Sequence, residues 1–256
     1  MKKLILATAI STLFCAGFAY ADDVKPADAP AAPAAADAPP PDNVVSYNAS
    51  VVTDYRYRGL SQSRFVPALQ GGADYVNNPT GFYAGTWLST INWITDAGGS
   101  GHVEWDLYAG KKGEIVKDVS YDVGFLSYVY VNNGLSPSAD TTEIYGQLSY
   151  GPAYAKYSYS LTDLFGFADS KGSGYLDVGA NFDVATGLTV NLHAGHQTVH
   201  NLSAASYTDW KVGLTKDFGV VTGALAVIGT NTDNYVSPSG KNLGKTTLVL
   251  SIAKTF

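Results

Sequence analysis

A short run, Asp54-Tyr55-Arg56-Tyr57-Arg58, places two arginines and an aspartate within five residues. Arg56 and Arg58 are two residues apart, so on an extended chain their side chains point to the same face. Alternation with Ser46 and the polar positions that follow places that face on the polar side of the first extended segment. With Asp54, these charges predict either a charged constriction that selects ions or an ion-paired cluster that stiffens the surrounding structure.

Other charged residues recur on the polar face of later extended segments. If all of them face one interior, nine acids stand against four bases, and an open interior prefers cations mildly. The alternative is a closed interior in which the same groups form a network of ion pairs and hydrogen bonds. The acids are Asp54, Asp74, Glu104, Asp106, Asp122, Glu143, Asp177, Asp183 and Asp209, and the bases are Arg56, Arg58, Lys156 and Lys211.

The histidines offer weaker chemistry. His193 and His196 are three residues apart, so on a strand they point to opposite faces and cannot share a metal ion. Spacings typical of zinc sites are absent from the sequence, and a hydrolase needs a paired nucleophile and base that the spacing does not supply. We therefore expect no metal, no cofactor and no enzyme activity. The candidates for hydrolysis are His102, His196 and His200 with Ser203 and Ser206.

The elements that carry these residues alternate with period two from residue 43 to the end of the chain. Val103, Trp105 and Leu107, for example, alternate with Glu104 and Asp106. Each segment has one apolar and one polar face, although the third and the eleventh are ambiguous. In the third, Trp87, Ile91 and Trp93 are assigned to the outside. The twelve segments start near Val44, Pro67, Phe82, His102, Val119, Thr141, Ala153, Gly174, Leu188, Tyr207, Gly219 and Lys245.

The connections alternate between long and short. This order is what an up-and-down barrel requires when both chain ends lie on the short-turn side. The long connections are residues 58–64, 95–101, 132–140, 162–173, 199–206 and 231–244. The short ones are residues 77–81, 111–118, 151–152, 185–187 and 217–219.

Composition and strand length favour a membrane barrel. The 256 residues are 46% apolar and only 15% charged, with a net charge of −6, which excludes a disordered chain and a basic nucleic-acid-binding domain. Segments of about 9 to 12 residues match tilted spanning strands. Aromatic residues near the segment ends suit interfacial girdles. They are Tyr55, Tyr57, Tyr75, Phe82, Trp93, Tyr121, Tyr150, Tyr159, Tyr175 and Tyr207.

The first 42 residues divide into two parts. Residues 1–21 have a basic start, an apolar stretch and the site Ala19-Tyr20-Ala21, which predicts a cleaved signal peptide. Removal of that peptide also removes Cys15, the only cysteine, and with it any disulfide. Residues 22–42 hold six of the 11 prolines and predict an extended, flexible linker before a barrel over residues 43–256.

The run Asp54-Tyr55-Arg56-Tyr57-Arg58-Gly59-Leu60-Ser61-Gln62-Ser63 resembles the opening motif SDYxxRGxSQS of the TorF family of proteobacterial porins, with Thr53 in place of the common serine. Further matching stretches are residues 67–72, 81–87, 142–146, 157–160, 170–175 and 195–197. The resemblance implies an outer-membrane barrel and does not identify a solute. Phe256, at the end of an alternating last strand, is similar to the signal read by the barrel assembly machinery.

These observations predict an all-β protein, a single up-and-down antiparallel transmembrane β-barrel of about 12 strands with both termini periplasmic. We expect it in the outer membrane, in contact with lipid and lipopolysaccharide, as a porin-like channel for passive diffusion of small polar or charged solutes. Two alternatives stay open. One is a closed structural or surface-interaction barrel that works through its extracellular loops, and the other, less favoured, is a lipid-active enzyme.

Overall fold

The computed structural model describes residues 41–256. The predicted signal peptide at residues 1–21 lies outside these residues, as does the predicted linker at residues 22–42 except for its last two positions.

Twelve antiparallel strands close into one barrel, in which each strand pairs with its neighbours along the chain and the first pairs with the last. Two further strands of two residues each form a small hairpin between the first and second barrel strands. The barrel strands are β1 (Asn43–Val52), β4 (Ala68–Asn77), β5 (Phe82–Thr90), β6 (Val103–Val116), β7 (Val119–Tyr130), β8 (Thr141–Tyr150), β9 (Ala153–Ser160), β10 (Gly174–Ala185), β11 (Leu188–Thr198), β12 (Tyr207–Asp217), β13 (Thr222–Thr230) and β14 (Thr247–Thr255). The hairpin consists of β2 (Arg56–Tyr57) and β3 (Leu60–Ser61).

Closure joins β1 to β14, with Val51 opposite Ile252, so neither strand is left with an unpaired edge. On its other side β1 pairs with β4 along its whole length. The all-β prediction and the up-and-down topology are confirmed, and every barrel strand starts within three residues of its predicted position. Period-two patterning succeeds because each strand has one face turned to the interior and one to the surroundings.

Six long connections lie at one end of the barrel and five short turns at the other. The long ones are residues 53–67, 91–102, 131–140, 161–173, 199–206 and 231–246, and the short ones are residues 78–81, 117–118, 151–152, 186–187 and 218–221. The prediction of a turn over residues 111–118 is wrong, because β6 pairs with β7 as far as Val116 and only Lys117 and Asp118 make the turn. The first long connection starts at residue 53 rather than 58.

The outer face of the barrel is apolar and exposed. Leu176, Ile252 and their outward neighbours are about half exposed, while the polar residues between them are buried inside. A protein in water normally hides such a surface. The outward assignment of Trp87, Ile91 and Trp93 is wrong. Trp87 and Ile91 point inward and are 2% exposed, and Trp93 lies in the connection after β5, where its ring packs against the buried Tyr130.

The predicted aromatic girdle is confirmed only in part. Tyr75, Phe82, Tyr150 and Tyr159 are exposed on the outer face. Tyr55, Tyr57, Tyr175 and Tyr207 are instead buried inside the barrel. Aromatic residues near strand ends therefore serve two locations, which alternation alone does not separate.

Helical structure is minor. The connection between β5 and β6 contains the helix α1 (Trp93–Asp96), and the connection between β11 and β12 contains a 3-10 helix, Ser203–Ala205. From residue 41 to residue 256, no helix combines the length and apolarity needed to cross a lipid bilayer.

Candidate functional site

The connection between β1 and β4, residues 53–67, folds into the barrel and is called the plug segment below. Ten consecutive residues in it, 54–63, are buried. Its hairpin turns at Arg58 and Gly59, both with positive φ. A Cβ on Gly59 would lie 2.6 Å from side-chain atoms of Asp209 and Thr230, so only glycine allows the turn to approach the barrel wall this closely.

Arg56 attaches the plug segment to the last long connection. Its Nε donates to Asp54 Oδ2 at 2.5 Å. Its guanidinium also donates to the carbonyl oxygens of Leu243 at 3.1 Å and Lys245 at 3.0 Å, and to Thr247 Oγ1 at 2.5 Å. Leu243, Lys245 and Thr247 lie in the connection between β13 and β14 or at the start of β14. Arg56 is therefore neutralised locally and acts as an anchor.

Arg58 attaches the tip of the plug segment to the opposite wall. Its two terminal nitrogens donate to Glu143 Oε1 at 3.2 Å and Oε2 at 2.7 Å, and one of them also donates to Gln197 Oε1 at 2.5 Å. The guanidinium lies 4.8 Å from the ring centre of Tyr57 and 4.2 Å from that of Tyr175. Arginine can make this bidentate contact with a carboxylate while packing on aromatic rings, and lysine cannot.

Asp54 fixes the fold of the plug segment itself. Its Oδ1 accepts hydrogen bonds from Ser61 Oγ at 2.6 Å, Ser63 Oγ at 3.2 Å and the amide nitrogen of Phe65 at 3.2 Å. The two serines belong to the same sequence run as the arginines. The motif that carries the family resemblance is thus a loop inside the barrel that is stabilised by hydrogen bonds between its own residues.

Two carboxylates of β6 face the plug segment at the same level. Glu104 Oε1 accepts a hydrogen bond from Tyr55 at 2.7 Å, and the Tyr55 ring packs edge-on against Trp87 with centres 5.4 Å apart. Asp106 is fully buried, and within residues 41–256 neither of its carboxylate oxygens has a hydrogen-bond partner. With Glu143 these acids surround a level of the barrel where Arg58 brings positive charge.

A second charged cluster lies on β10, β11 and β12. His193 Nδ1 lies 2.8 Å from Asp177 Oδ1, and its Nε2 lies 2.6 Å from Asp209 Oδ1. The Tyr175 hydroxyl donates to Asp209 Oδ2 at 3.0 Å. The cluster holds two carboxylates and an imidazole side by side, which cross-links three adjacent strands.

The short-turn half of the barrel interior is filled by strand side chains alone. Tyr108 donates to Asp74 at 2.6 Å and Tyr83 donates to Asp122 at 2.6 Å. Lys156 Nζ lies 4.5 Å from the ring centre of Tyr145. The Tyr83 hydroxyl also contacts the Tyr145 hydroxyl, so these strand side chains are linked to one another, and burial decreases toward this end of the barrel.

The structure brings together six of the predicted site residues at the level of the plug segment, namely Asp54, Arg56, Arg58, Glu104, Asp106 and Glu143. It places Asp74 and Lys156 in the short-turn half. Asp177 lies between the level of the plug segment and the short-turn half. Asp122 and Lys211 are half-buried, and Asp183 is exposed at the short-turn rim, where it accepts a hydrogen bond from Thr189 at 2.6 Å.

One premise of the sequence analysis is wrong. Asp54, Arg56 and Arg58 do not continue the polar face of the first strand, because β1 ends at Val52. They reach the interior on an in-folded connection instead. Sequence reasoning also missed His193 as an ion-pair partner, although its position on the polar face of β11, level with Asp177 and Asp209, was a usable signal.

The histidines considered for hydrolysis have other partners. His196 Nδ1 lies 2.9 Å from Thr208 Oγ1 on the outer face, and Ser206 Oγ accepts a hydrogen bond from the Val199 amide nitrogen. His193 and His196 point to opposite faces of β11, as predicted. Across the described part of the chain, no three His, Cys, Asp or Glu side chains are arranged to hold a metal ion.

The far end of the plug segment is held by a more exposed contact. Arg64 Nε donates to Asp96 Oδ2 at 2.9 Å, and a second guanidinium nitrogen donates to Asp96 Oδ1. Asp96 belongs to α1 at the long-connection mouth. The hydrogen bond to Asp96 raises the pKa of Arg64, so this attachment stays charged at any physiological pH.

Solved structures of similar fold include two porins. A KdgM porin in complex with disordered oligogalacturonate aligns with a TM-score of 0.52 and 8% identity, over 83% of this chain and 98% of that one. A NanC porin aligns with a TM-score of 0.54 and 13% identity, over 83% and 99% of the two chains. At these identities the likeness concerns the barrel fold.

Among curated protein sequences no relative matches. The sequence profile of the Gcw_chp family, described as a bacterial protein of unknown function, matches residues 35–256. The match covers the whole barrel and the plug segment. The chain belongs to the Gcw_chp family.

Proposed function

We propose that the chain is a porin-like channel of the outer membrane for passive diffusion of small polar or charged solutes, with the plug segment acting as its gate. We also propose that the chain is a member of the TorF family of porins, on the basis of the opening motif at residues 54–63. So does an orientation with the short turns and both termini in the periplasm, which follows the usual arrangement of outer-membrane barrels.

The observation that carries the proposal is the reversal of polarity across the barrel wall. Apolar side chains such as Leu176 and Ile252 are exposed outside, while charged ones such as Glu143 and Asp177 are buried inside. The apolar outer face suits contact with lipid, and the charged inner face suits an internal polar path. A twelve-stranded barrel has room for such a path once its interior is cleared.

The gate follows from what occupies the interior. Arg56, Arg58, Glu104 and Glu143 are all at most 2% exposed, so solvent does not reach the level of the plug segment. The obstruction is a connection between strands, and it is held by ion pairs and hydrogen bonds. A connection can move without breaking the barrel ladder, whereas a strand cannot.

Charge supports a cation preference of the opened path. When the plug segment leaves with its two arginines, the wall keeps Glu104, Asp106 and Glu143 at the same level. Rings of carboxylates favour cations.

Single-channel recording in planar bilayers tests the proposal. We expect wild-type protein to open rarely, and Arg58→Ala to raise the open fraction because it removes the contact with Glu143. Lys111→Ala is the matched control: Lys111 packs on Phe82 outside the interior, 5.0 Å from the ring centre. In a salt gradient the reversal potential should have the sign of cation preference.

A second candidate is a closed barrel that works through its long connections, and the near-complete burial of the interior charges favours it. If folded wild-type and Arg58→Ala proteins are both silent in the bilayer, this candidate replaces the channel.

Interaction with outer-membrane lipid, with lipopolysaccharide and with the barrel assembly machinery is part of the proposal. The Phe256 ring is exposed and its amide nitrogen donates to the carbonyl oxygen of Tyr47 at 2.8 Å. An exposed ring on a paired strand end is accessible for recognition during assembly.

A further inference from the structure

A cavity of about 680 Å³ lies at the long-connection mouth, directly above the plug segment. Tyr57, Leu60 and Ser61 of the plug segment contribute its floor, and the long connections form its walls. Leu202 and Ala204 on the wall are exposed, so solvent reaches it. The volume lies within the range of about 300–1,000 Å³ of small-molecule sites.

Two groups of aromatic rings form opposite parts of the wall. In the first, Phe165 packs edge-on against Tyr57 and Trp93, with ring centres 5.3 Å and 6.5 Å apart. In the second, Tyr235 packs edge-on against Tyr207 and Phe167, at 5.3 Å and 6.5 Å. Rings held in this way offer faces and edges to a further ring, which prefers the same offset or edge-on geometry.

The polar groups of the wall are largely engaged by the protein. The Tyr57 hydroxyl donates to Tyr128 at 3.0 Å, and the Tyr235 hydroxyl donates to the Ala205 carbonyl oxygen at 2.6 Å. Asn234 Nδ2 donates to the Ala204 carbonyl oxygen at 2.7 Å. Burial raises the pKa of Tyr235, which keeps its hydroxyl neutral. The cavity therefore presents mainly apolar ring surface.

One charge sets the remaining chemistry. Among the described lining residues the single charged group is Asp96, and Arg64 neutralises it. A charged ligand would lose hydration here without gaining a partner.

We propose that this cavity binds an uncharged aromatic molecule of one or two rings. The inference goes beyond the proposed channel, since it holds whether or not the barrel conducts.

Fluorine NMR with 4-fluorophenol, which is uncharged at neutral pH, tests the proposal on the folded barrel in detergent micelles. We expect a saturable shift with wild-type protein. Phe165→Ala removes a ring from the cavity wall and should weaken binding by roughly three- to tenfold. Phe182→Ala is the matched control, because Phe182 is exposed on the outer face of β10.

Ala204→Trp should fill the cavity and abolish the shift, and Ser239→Trp on an exposed loop should not. The proposal is overturned if the shift is absent, if it is equal in all variants, as partition into the micelle would give, or if the anion 4-fluorobenzoate binds as tightly as the phenol. Heat-dependent mobility on a gel confirms that each variant is folded. Conductance plays no part in the readout, so a silent channel leaves the test intact.

Discussion

Two levels of the same barrel interior are closed in different ways. At the level of the plug segment, a connection carries Arg56 and Arg58 into contact with walls on both sides, and the charges there are almost fully buried. In the short-turn half the strands' own side chains meet, as in the contact of Tyr108 with Asp74, and exposure increases toward the rim.

The difference separates parts that can move from parts that cannot. The short-turn half is built on strand positions whose backbone is fixed by the ladder on both sides. The plug segment has only a hairpin of two-residue strands of its own. Its place depends on side-chain contacts and on a few backbone hydrogen bonds to other connections, such as that from the Ser61 amide nitrogen to the Leu243 carbonyl oxygen at 2.9 Å. A change in solute access is therefore expected at the plug segment, and four measurements examine this contrast.

The largest effect is expected from Arg58→Ala. The substitution leaves Glu143 buried without its positive partner, and breaking a buried pair in this way costs about 3–5 kcal/mol. Lys112→Ala in the short-turn half, where Lys112 is half-buried near Asp74, should cost less than about 1 kcal/mol. Urea unfolding of the two variants in the same lipid vesicles measures both. Equal losses in free energy of unfolding would remove the distinction between the two levels.

Chemical access gives the next largest contrast. The barrel residues contain no cysteine, since Cys15 is the only one in the sequence. Ser63→Cys places a thiol in the plug segment, at a residue 1% exposed, and Thr215→Cys places one on the half-buried interior face of β12. We expect a methanethiosulfonate reagent to label Thr215→Cys on the order of a hundredfold faster, because Ser63→Cys must wait for local opening. Equal rates would show that solvent reaches the plug segment in the resting state.

A matched pair of tyrosines compares single hydrogen bonds at the two levels. Tyr55→Phe removes one of the two tyrosine donors to Glu104 at the plug level, and should cost about 2 kcal/mol because the acceptor is a fully buried carboxyl group. Tyr108→Phe removes the donor to Asp74, which also accepts from Asn48 at 3.4 Å, and should cost about 1 kcal/mol. The free energies of unfolding of the two variants test which hydrogen bond contributes more. A larger loss for Tyr108→Phe would reverse the ranking of the levels.

The strands could be read from the sequence, and the plug segment could not. Alternation and turn spacing are local, so strand starts such as Ala153 and Gly174 are found directly. The polar face of β1 continues to Asp54, Arg56 and Arg58 with only Val52 out of pattern, and one such exception does not mark the point at which the chain leaves the wall. The fold of the plug segment depends on Glu143, Gln197 and the connection after β13, all of which are distant in sequence.

The same limit explains the aromatic residues that were placed wrongly. Trp87 satisfies an outward, lipid-facing position as well as an inward one, and its direction is set by contact with Tyr55, which lies 32 residues earlier. Most charged residues on the strands lie on the buried inward face, because a buried charge has few acceptable surroundings. An aromatic ring has many acceptable surroundings.

The smallest effect is expected at the exposed end of the plug segment. Arg64 is paired with Asp96, but its side chain is 36% exposed, so solvent screening limits the contribution of the pair to less than about 1 kcal/mol. Arg64→Ala should therefore leave the free energy of unfolding almost unchanged. If the plug segment moves as a gate, the same substitution should still raise the open fraction in bilayer recordings, since it releases one end of the segment without disturbing the buried contacts of Arg56 and Arg58. An open fraction equal to that of wild type, together with a raised one in Arg58→Ala, would place the hinge of the gate at this end and its latch at the buried arginine.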